Sequence, residues 1–571
     1  MVERLRPAFV WAVWAGMTAF AGLFVAWYGG RLPVQDDFFY DKIRFNTHLP
    51  PAADLWEQLN EHRPLLPRLV TWGVARTLGP NLRTQMGVDL ALLAATAAGL
   101  ILSARRLRGH TTFSDAFFPL VLLSVGQHEN LLWAVQVNFI LPIYLQVLGL
   151  ILVAEAGEQL SPGRALGVGL CAIGLSLCGM QGVATGTPLA AWLVYAGWRA
   201  ARAGSDRRAA SVAVALGLAV LGLVAANFVG LVRTFQPGST DLAVARYALR
   251  MLAAGWGPVG EQIGPAEPTR WPPLLGAATF IVLAATTWRL VRYAREPRDR
   301  LAATGLLALL AGFAVLAAGI GYGRAAVSGG ALVNRYVTLM APVLCACYLS
   351  WVRFGPPRVG EAVTGGLFLA AAVFAWPNAA AGLTAARAQH AVHKYIERDI
   401  YLGVPRSFLA ERYSWFLACP SPVWYEPILE GMRQRGLAPL HRMAAEPKLR
   451  EVPATWRVEA FPAAGPDGWC RADDLQHVLL TVTVSAPGPT TGVRVRYSVA
   501  GEPGRVSSEA YWRLPTADGS EQPITVLHAL GTGEGLERRL WLGFGVSRFH
   551  LVVRGPGAAV RIEGVTVFVA E

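Results

Sequence analysis

The sequence predicts a polytopic α-helical membrane protein that carries a β-sandwich or jelly-roll domain near its C-terminus. Of the 571 residues, 53% are hydrophobic and only 16% are charged, and the mean hydropathy is +0.38. Soluble proteins carry roughly 25% charged residues. The apolar residues come in runs of about 20, which is the length that crosses a hydrocarbon core of about 30 Å. After residue 452 the pattern changes to short alternating runs separated by Gly, Pro and Asp.

The apolar runs predict about eleven membrane spans. They are 8–28, 84–103, 113–126, 137–155, 165–180, 183–198, 210–231, 272–290, 301–320, 336–353 and 360–377. The third, fifth and sixth are short. No small-residue cleavage site follows the first run, so we expect a retained span rather than a signal peptide.

The net charge of +13 does not indicate a nucleic-acid partner, because the arginines gather in short loops between the predicted spans, such as 105–108, 199–208 and 289–300. Cytoplasmic loops carry an excess of Arg and Lys. We therefore predict a cytoplasmic N-terminus and place everything after residue 377 outside. The abundance of Ala, Gly and Arg is typical of a GC-rich bacterial genome, so the predicted location is a bacterial plasma membrane, with the C-terminal part periplasmic or extracellular.

The chain is predicted to form three domains. They are a transmembrane domain (1–377), an exported helical connecting segment (378–452) and an exported β-sandwich (453–571). Runs such as VLLTVTV and GVRVRYSV, at close spacing, are typical of a sandwich or jelly roll. Cys419 and Cys470 are the only cysteines in the exported part, and an oxidising compartment permits a disulfide between them.

The stretch PVQDDFFYDK, positions 33–42, leaves the first span and places two acids side by side. Neighbouring side chains point to opposite sides of an extended chain, or diverge by about 100° at a helix start. Asp36 and Asp37 are therefore expected to have different roles. One faces a reaction site while the other binds a metal, caps a helix or orients its neighbour. The alternative is a pair of solvated loop acids, but the run Glu61-His62-Arg63 in the same outer loop favours a site.

A carboxylate at the membrane surface can deprotonate an acceptor hydroxyl. Arg and His can bind the phosphate of a lipid-linked substrate and neutralise it as it departs. Two further arginines lie on the predicted outer face, in GYGRAAVSGGALVNRY, against the usual charge bias. Their alternative role is headgroup snorkelling. The predicted donor-phosphate group is Glu61, His62, Arg63, Arg324 and Arg335.

The stretch GQHENLLWAVQVNF, positions 126–139, lies between two short predicted spans on the outer face. Amides and aromatics are common sugar-contacting side chains, although a loop with an interfacial Trp belt would look the same. The predicted sugar- or acceptor-binding residues are Gln127, His128, Glu129, Asn130, Trp133 and Gln136.

At this point the chain resembles the GT-C superfamily of membrane glycosyltransferases, which place an acidic motif in the first outer loop. Asp36 and Asp37 in VQDDFFY match that motif, and NEHRPLLPRL and QHENLLWAVQ look like stretches of uncharacterised bacterial members. The resemblance implies a GT-C-like membrane domain, a polyprenyl-phosphate-linked sugar as donor, inverting transfer, and one of the two acids as catalytic base. The strand pattern of 453–571 is similar to carbohydrate-binding-like domains of such enzymes.

Metal dependence stays open, because metal-binding relatives use Asp-X-Asp spacing and here the acids are adjacent. Mg²⁺ or Mn²⁺ would bind Asp36 or Asp37. The implied partners are membrane lipids, the lipid-linked sugar donor and a cell-envelope glycan or lipid acceptor. Two alternatives are a lipid-linked polysaccharide polymerase or ligase, and a lipid-glycan transporter or flippase. The long outer segment comes first in the chain, which speaks against the former, and few polar groups lie at mid-membrane, which speaks against the latter.

Overall fold

The computed structural model describes residues 2–204, 206–232, 240–260, 271–325, 333–417, 422–472, 477–486, 492–502, 506–515, 521–528, 533–542 and 548–570. The chain divides into two compact units. The first comprises 1–33 and 39–390, and the second comprises 34–38 and 391–571. The division falls inside one long helix, and the predicted three-domain boundaries at 377 and 452 remain a prediction.

Helices make up the first unit. In chain order they are α1 (Val2–Tyr28), α2 (Asp41–Arg44), α3 (Ala52–Trp56), α4 (Leu65–Thr77), α5 (Leu82–Arg108), α6 (Phe117–Leu122), α7 (His128–Leu132), α8 (Val137–Ala154), α9 (Pro162–Ser176), α10 (Met180–Arg202), α11 (Arg207–Phe228), α12 (Asp241–Ala254), α13 (Trp271–Tyr293), α14 (Arg300–Arg324), α15 (Tyr336–Phe354) and α16 (Pro357–Tyr401), the last of which continues into the second unit.

Eight of the described helices are long and apolar enough to cross a membrane: Glu3–Tyr28, Leu82–Arg108, Ala134–Ala154, Arg207–Phe228, Leu274–Tyr293, Arg300–Arg324, Tyr336–Phe354 and Pro357–Tyr401. These apolar helices indicate a membrane-embedded protein, as predicted.

Three of the eleven predicted spans are not among these eight helices. The run 113–126 contains only the short apolar helix Phe113–Leu122, followed by a turn. The run 165–180 forms α9, which is 15 residues long. The run 183–198 lies in α10, which has the length of a span but is diluted by Gly, Thr and Gln in its first half. Apolar composition over a short window does not distinguish a span from a buried short helix.

Small residues bring the helices of the first unit close together. A Cβ added at Gly197 of α10 would lie 2.7 Å from the Ala210 carbonyl oxygen, and one at Gly217 of α11 would lie 2.9 Å from the Ala190 carbonyl oxygen. In a membrane, van der Waals packing of this kind drives helix association, because lipid tails are as apolar as the side chains.

The second unit contains α17 (Arg406–Leu417), α18 (Pro422–Gln434) and two antiparallel sheets. The described strands are β1 (Leu449–Val452), β2 (Thr455–Phe461), β3 (Cys470–Arg471), β4 (His477–Ser485), β5 (Gly492–Ala500), β6 (Ser507–Pro515), β7 (Glu521–His528), β8 (Gly533–Trp541), β9 (Arg548–Arg554) and β10 (Ala559–Ala570). One sheet has the order β1-β10-β5-β8, with β3 beside β10, and the other has the order β2-β4-β9-β6-β7.

Alternation along the strands builds one core between the two sheets. Val478, Leu480, Val482 and Val484 of β4 are buried, while the residues between them are half-buried. Val493, Val495 and Tyr497 of β5 join the same core from the other sheet. The period of two places every second side chain on one face, as the alternating sequence predicts.

A buried carboxylate joins the helices of the second unit. Asp399 is fully buried and accepts hydrogen bonds from Arg412 Nη1 (2.6 Å), the Tyr413 hydroxyl (2.5 Å) and Arg398 Nη2 (3.1 Å). Arg412 also donates to the Trp541 carbonyl oxygen on β8, at 2.9 Å. Burial, and secondarily the Asp399 charge, raise the pKa of Tyr413. The network ties α17 to the sheet.

Candidate functional site

The two adjacent acids lie in a 3₁₀ helix, Gln35–Tyr40, at the exit of α1. Asp37 is 1% exposed, and its carboxylate accepts the Val34 N–H at 3.1 Å. The Asp37 N–H donates to the Val34 carbonyl at 3.0 Å, which closes the turn. Asp36 is half-buried. Its carboxylate is therefore the more accessible of the two, while Asp37 holds the backbone of the turn.

The Glu61-His62-Arg63 run lies in a tight turn whose ends are Leu59 and His62, joined by two main-chain hydrogen bonds of 2.8 and 2.9 Å. His62 Nδ1 accepts the Met180 N–H at 3.2 Å, at the start of α10. This bond fixes which nitrogen of a neutral His62 carries the proton, namely Nε2. Glu61 is half-buried.

The arginines of the first loop bind main-chain carbonyls. Arg63 donates through Nη1 to Trp56 O (3.0 Å) and through Nη2 to Val229 O (3.0 Å) and Gly230 O (3.3 Å). Arg68 is 3% exposed, and its Nη1 donates to three carbonyl oxygens between residues 54 and 57. Burial lowers the pKa of Arg68. Cations at the ends of helices satisfy carbonyls that lack partners within the helix. In this arrangement both arginines hold the loop against helix ends.

The turn 126–130 and the segment 333–338 are joined side by side. Asn334 donates to Gly126 O at 2.9 Å and accepts the Glu129 N–H at 3.2 Å, so one buried amide bridges both ends of the turn. Asn130 donates to the Arg335 carbonyl at 3.1 Å and to the Thr338 hydroxyl. The structure thus brings together two stretches that the sequence separates by more than 200 residues.

The same turn is packed closely by α16. A Cβ added at Gly126 would lie 2.9 Å from Pro258 Cδ and 3.0 Å from Asn378 Cβ, and one at Gly382 would lie 2.1 Å from the Val125 carbonyl oxygen. Asn378 is itself fixed by the Trp256 carbonyl (2.7 Å). Because no side chain fits in these gaps, the turn is held rigidly. Rigid support is what a binding site needs to keep its geometry.

Arg335 is the predicted arginine whose guanidinium is least engaged. It lies over the Trp133 ring at 5.7 Å, and its Nη1 is 3.9 Å from Glu129 Oε2. No described residue accepts a hydrogen bond from the guanidinium. The Trp133 indole N–H points to Gln389 Oε1 at 3.4 Å. A guanidinium whose donors are not taken by any described residue can donate hydrogen bonds to an anion. Arg324 is half-buried at the end of α14.

Gln127 and Asn130 are almost fully buried. Gln127 Nε2 donates to the Leu122 carbonyl at 2.5 Å, and its Oε1 accepts the Thr338 hydroxyl. The side-chain amides of these two residues therefore hold the turn in place through hydrogen bonds to its neighbours in the fold. Gln136 is also fully buried, and neither of its amide atoms has a hydrogen-bond partner among the described residues. Such atoms usually bind water or a ligand.

Burial perturbs the titration of His128, the second titratable residue of this turn beside Glu129. Burial lowers the pKa of His128 from 6.5 to about 4, and a bond to Gly126 opposes the shift. His128 is therefore neutral at pH 7. Its Nδ1 is buried and has no hydrogen-bond partner among the described residues. The side chain offers a neutral imidazole next to the Glu129–Arg335 pair.

Among the described residues, no group of three or more His, Cys, Asp and Glu side chains could hold a metal ion. A protein-bound divalent cation usually needs several oxygen or nitrogen ligands. Binding of Mg²⁺ or Mn²⁺ by Asp36 or Asp37 therefore stays a prediction. Cys470 is buried, and Cys419 lies outside the described residues, so a disulfide between them stays a prediction.

Sequence reasoning missed Thr338, Asn378 and Gln389, which hold the turn 126–130 or Trp133. Each is a polar residue within or beside an apolar run. That position alone is a signal, because polar groups at membrane depth are costly and need a partner. The partner, however, lies far along the chain.

No protein-family model matches the chain, and no curated protein matches it significantly.

Proposed function

We propose that the protein is a membrane glycosyltransferase that moves a sugar from a polyprenyl-phosphate donor to a cell-envelope glycan or lipid acceptor. One observation carries the proposal. No described residue accepts a hydrogen bond from the Arg335 guanidinium, which lies over Trp133 and near the carboxylate of Glu129, in the segment that is bonded to the rigid turn 126–130. A guanidinium binds a phosphate through two parallel hydrogen bonds, and an indole ring supplies an apolar face for a sugar or for a lipid chain.

The reaction would proceed as a displacement at the anomeric carbon. An acceptor oxygen forms the new bond to that carbon while the bond from carbon to phosphate oxygen breaks. The electron pair leaves with the phosphate, where Arg335 would stabilise the developing charge. The acceptor proton passes to a carboxylate base. The sequence predicts Asp36 or Asp37 in this role, and of the two Asp36 is half-buried while the Asp37 carboxylate accepts the Val34 N–H.

The proposed topology places the N-terminus in the cytoplasm and the transfer on the outer face of a bacterial plasma membrane, since the Arg-rich loops would then lie inside. The apolar spans would hold the lipid of the donor. The two-sheet domain would lie outside, where a carbohydrate-binding role fits a glycan acceptor.

A second candidate is a lipid-glycan transporter. Buried polar pairs within the membrane helices favour it. Gln146 of α8 donates to the Thr185 hydroxyl of α10 at 3.1 Å, and Gln85 donates to Asp89 at 3.0 Å within α5. Polar groups at membrane depth often mark a substrate path. Translocation of a fluorescent lipid-linked sugar by proteoliposomes, without any glycan product, would establish this alternative.

The test of the transferase uses the purified full-length protein in lipid nanodiscs, with radiolabelled polyprenyl-phosphate sugars and an envelope extract as acceptor. Arg335→Ala is expected to lower transfer about 10–100-fold, the loss for hydrogen bonds to a charged group. Asp36→Asn is expected to abolish transfer. The matched control is Arg76→Ala, an exposed arginine on α4. Full transfer by the Arg335→Ala protein would refute the role of Arg335.

The sugar itself can be identified in cells. Mass spectrometry of envelope glycans from a strain that lacks the gene should show the loss of one sugar, which identifies the donor. An unchanged glycan profile would speak against the glycosyltransferase.

A further inference from the structure

The guanidinium of Arg335 and the carboxylate of Glu129 form a loose ion pair. Their side chains are 15% and 17% exposed, and the nearest nitrogen–oxygen distance is 3.9 Å. A charge-assisted hydrogen bond between such groups is about 2.7–2.9 Å long. The carboxylate oxygen instead accepts the Arg335 main-chain N–H at 3.2 Å. The Glu129 carboxylate is therefore close enough to act electrostatically on a ligand of Arg335, but it does not accept a hydrogen bond from the guanidinium.

Glu129 is held in this place by the backbone. Its N–H binds Asn334 Oδ1, and its carboxylate binds the N–H of the residue that follows Asn334. The turn that carries it is packed against α16, with no room for a side chain at Gly126. An anion bound to Arg335 would thus lie next to the fixed negative charge of Glu129.

The charge of the ligand then decides its affinity. Arg335 and Glu129 together carry no net charge, so a ligand with one negative charge binds the guanidinium near a single fixed carboxylate. A phosphodiester carries one negative charge, whereas a phosphomonoester carries about −1.5 to −2 at pH 7. Each additional ligand charge is attracted by Arg335 and repelled by Glu129. The carboxylate therefore cancels much of the advantage that a doubly charged ligand would have at a lone arginine.

We infer that Glu129 shifts the selectivity of the Arg335 site from doubly charged phosphomonoesters towards singly charged phosphodiesters. The inference rests on the proposed function, in which Arg335 contacts phosphate. A polyprenyl-phosphate sugar is a phosphodiester, and the polyprenyl phosphate left after transfer is a phosphomonoester. Glu129 would therefore favour the donor and help to expel the lipid product.

The test measures binding rather than turnover. The full-length protein in nanodiscs is titrated at pH 8 with farnesyl methyl phosphate, a diester, and with farnesyl phosphate, a monoester. Glu129→Gln should tighten diester binding about threefold and monoester binding about tenfold, because the repulsion by a screened unit charge a few ångströms away grows with the charge of the ligand. The ratio of diester to monoester affinity should therefore be about threefold higher in the wild-type protein than in Glu129→Gln. Glu129→Asp keeps the charge and should keep the selectivity.

Glu158→Gln, which removes an exposed carboxylate of the loop after α8, is the control for net charge and should change neither affinity. A Glu129→Gln protein whose ratio of diester to monoester affinity equals that of the wild-type protein would overturn the inference and leave the proposed function standing. If the Arg335→Ala protein binds both probes as tightly as the wild-type protein, or if the wild-type protein binds neither probe, the phosphate role of Arg335 is overturned and the proposed function with it.

Discussion

Replacing Asn334 by alanine tests whether the turn 126–130 is a support for binding. Asn334 is 2% exposed and makes two hydrogen bonds, to Gly126 O at 2.9 Å and from the Glu129 N–H at 3.2 Å. Losing two buried hydrogen bonds costs about 1–3 kcal/mol at the net value per bond, and more where a buried partner stays unsatisfied. We expect about 2–4 kcal/mol of lost stability by this reasoning, together with at least tenfold weaker binding of a phosphodiester probe.

The matched control is Asn227→Ala. Asn227 is 1% exposed and donates at 3.0 and 2.9 Å to the carbonyls of Ser176 and Leu223, away from the turn. Thermal unfolding in nanodiscs should show a similar loss of stability for both variants. Titration with the diester probe should show weakened binding for Asn334→Ala only. Equal binding losses in the two variants would mean that general destabilisation, rather than the support of Arg335 by the turn, explains the effect.

Three further predictions concern stability. Asp399→Asn should destabilise the second unit by about 3–5 kcal/mol, because it leaves two arginines near an uncharged amide; limited proteolysis would detect it, and Glu459→Gln, on an exposed strand position, should behave like the wild type. Gly382→Ala should cost about 1–3 kcal/mol through a main-chain clash, whereas Gly365→Ala on the same helix meets nothing within 4 Å and should be harmless in a thermal melt. The folded-state pKa of His128 lies below its ordinary value, so the unfolded chain binds a proton to this histidine more readily than the folded protein does. The stability that the neutral His128 contributes should be complete above pH 6.5 and should fall by up to about 1.4 kcal/mol per pH unit towards pH 4. If the stability of His128→Gln, measured by thermal melts across this pH range, falls with the same slope, the assignment is contradicted.

The sequence was sufficient to predict the main elements of the fold. Runs of about 20 apolar residues correspond to the long helices, and the period of two after residue 452 corresponds to the strands of the two sheets. The three predicted spans that fail, 113–126, 165–180 and 183–198, are apolar but form helices that are short or diluted by polar residues. An apolar run indicates that a segment is buried, but it does not show whether the segment is buried inside the protein or in lipid.

The candidate site was harder to predict. The different surroundings of Asp36 and Asp37 could be predicted, because the side chains of neighbouring residues diverge in any regular backbone. The partner of Arg335 could not, since Glu129 lies some 200 residues earlier and no local pattern records that contact. Arg63 illustrates the opposite error. Its charge and its place in an outer loop suggested phosphate, whereas its donors reach main-chain carbonyls that sequence does not reveal.

The hydrogen bonds of Arg63 also set an order of events during synthesis. Its partners Val229 and Gly230 follow it by 166 and 167 residues. At about 5–20 residues per second, the ribosome needs roughly 10–30 s to deliver them. Nη2 of Arg63 must therefore stay without these two partners until α11 and the residues that follow it have been synthesised. Arg335 arrives later still, about another hundred residues on. The nascent chain consequently completes the proposed anion site at Arg335 only after most of its apolar helices have been synthesised, so a chain released early would lack that site.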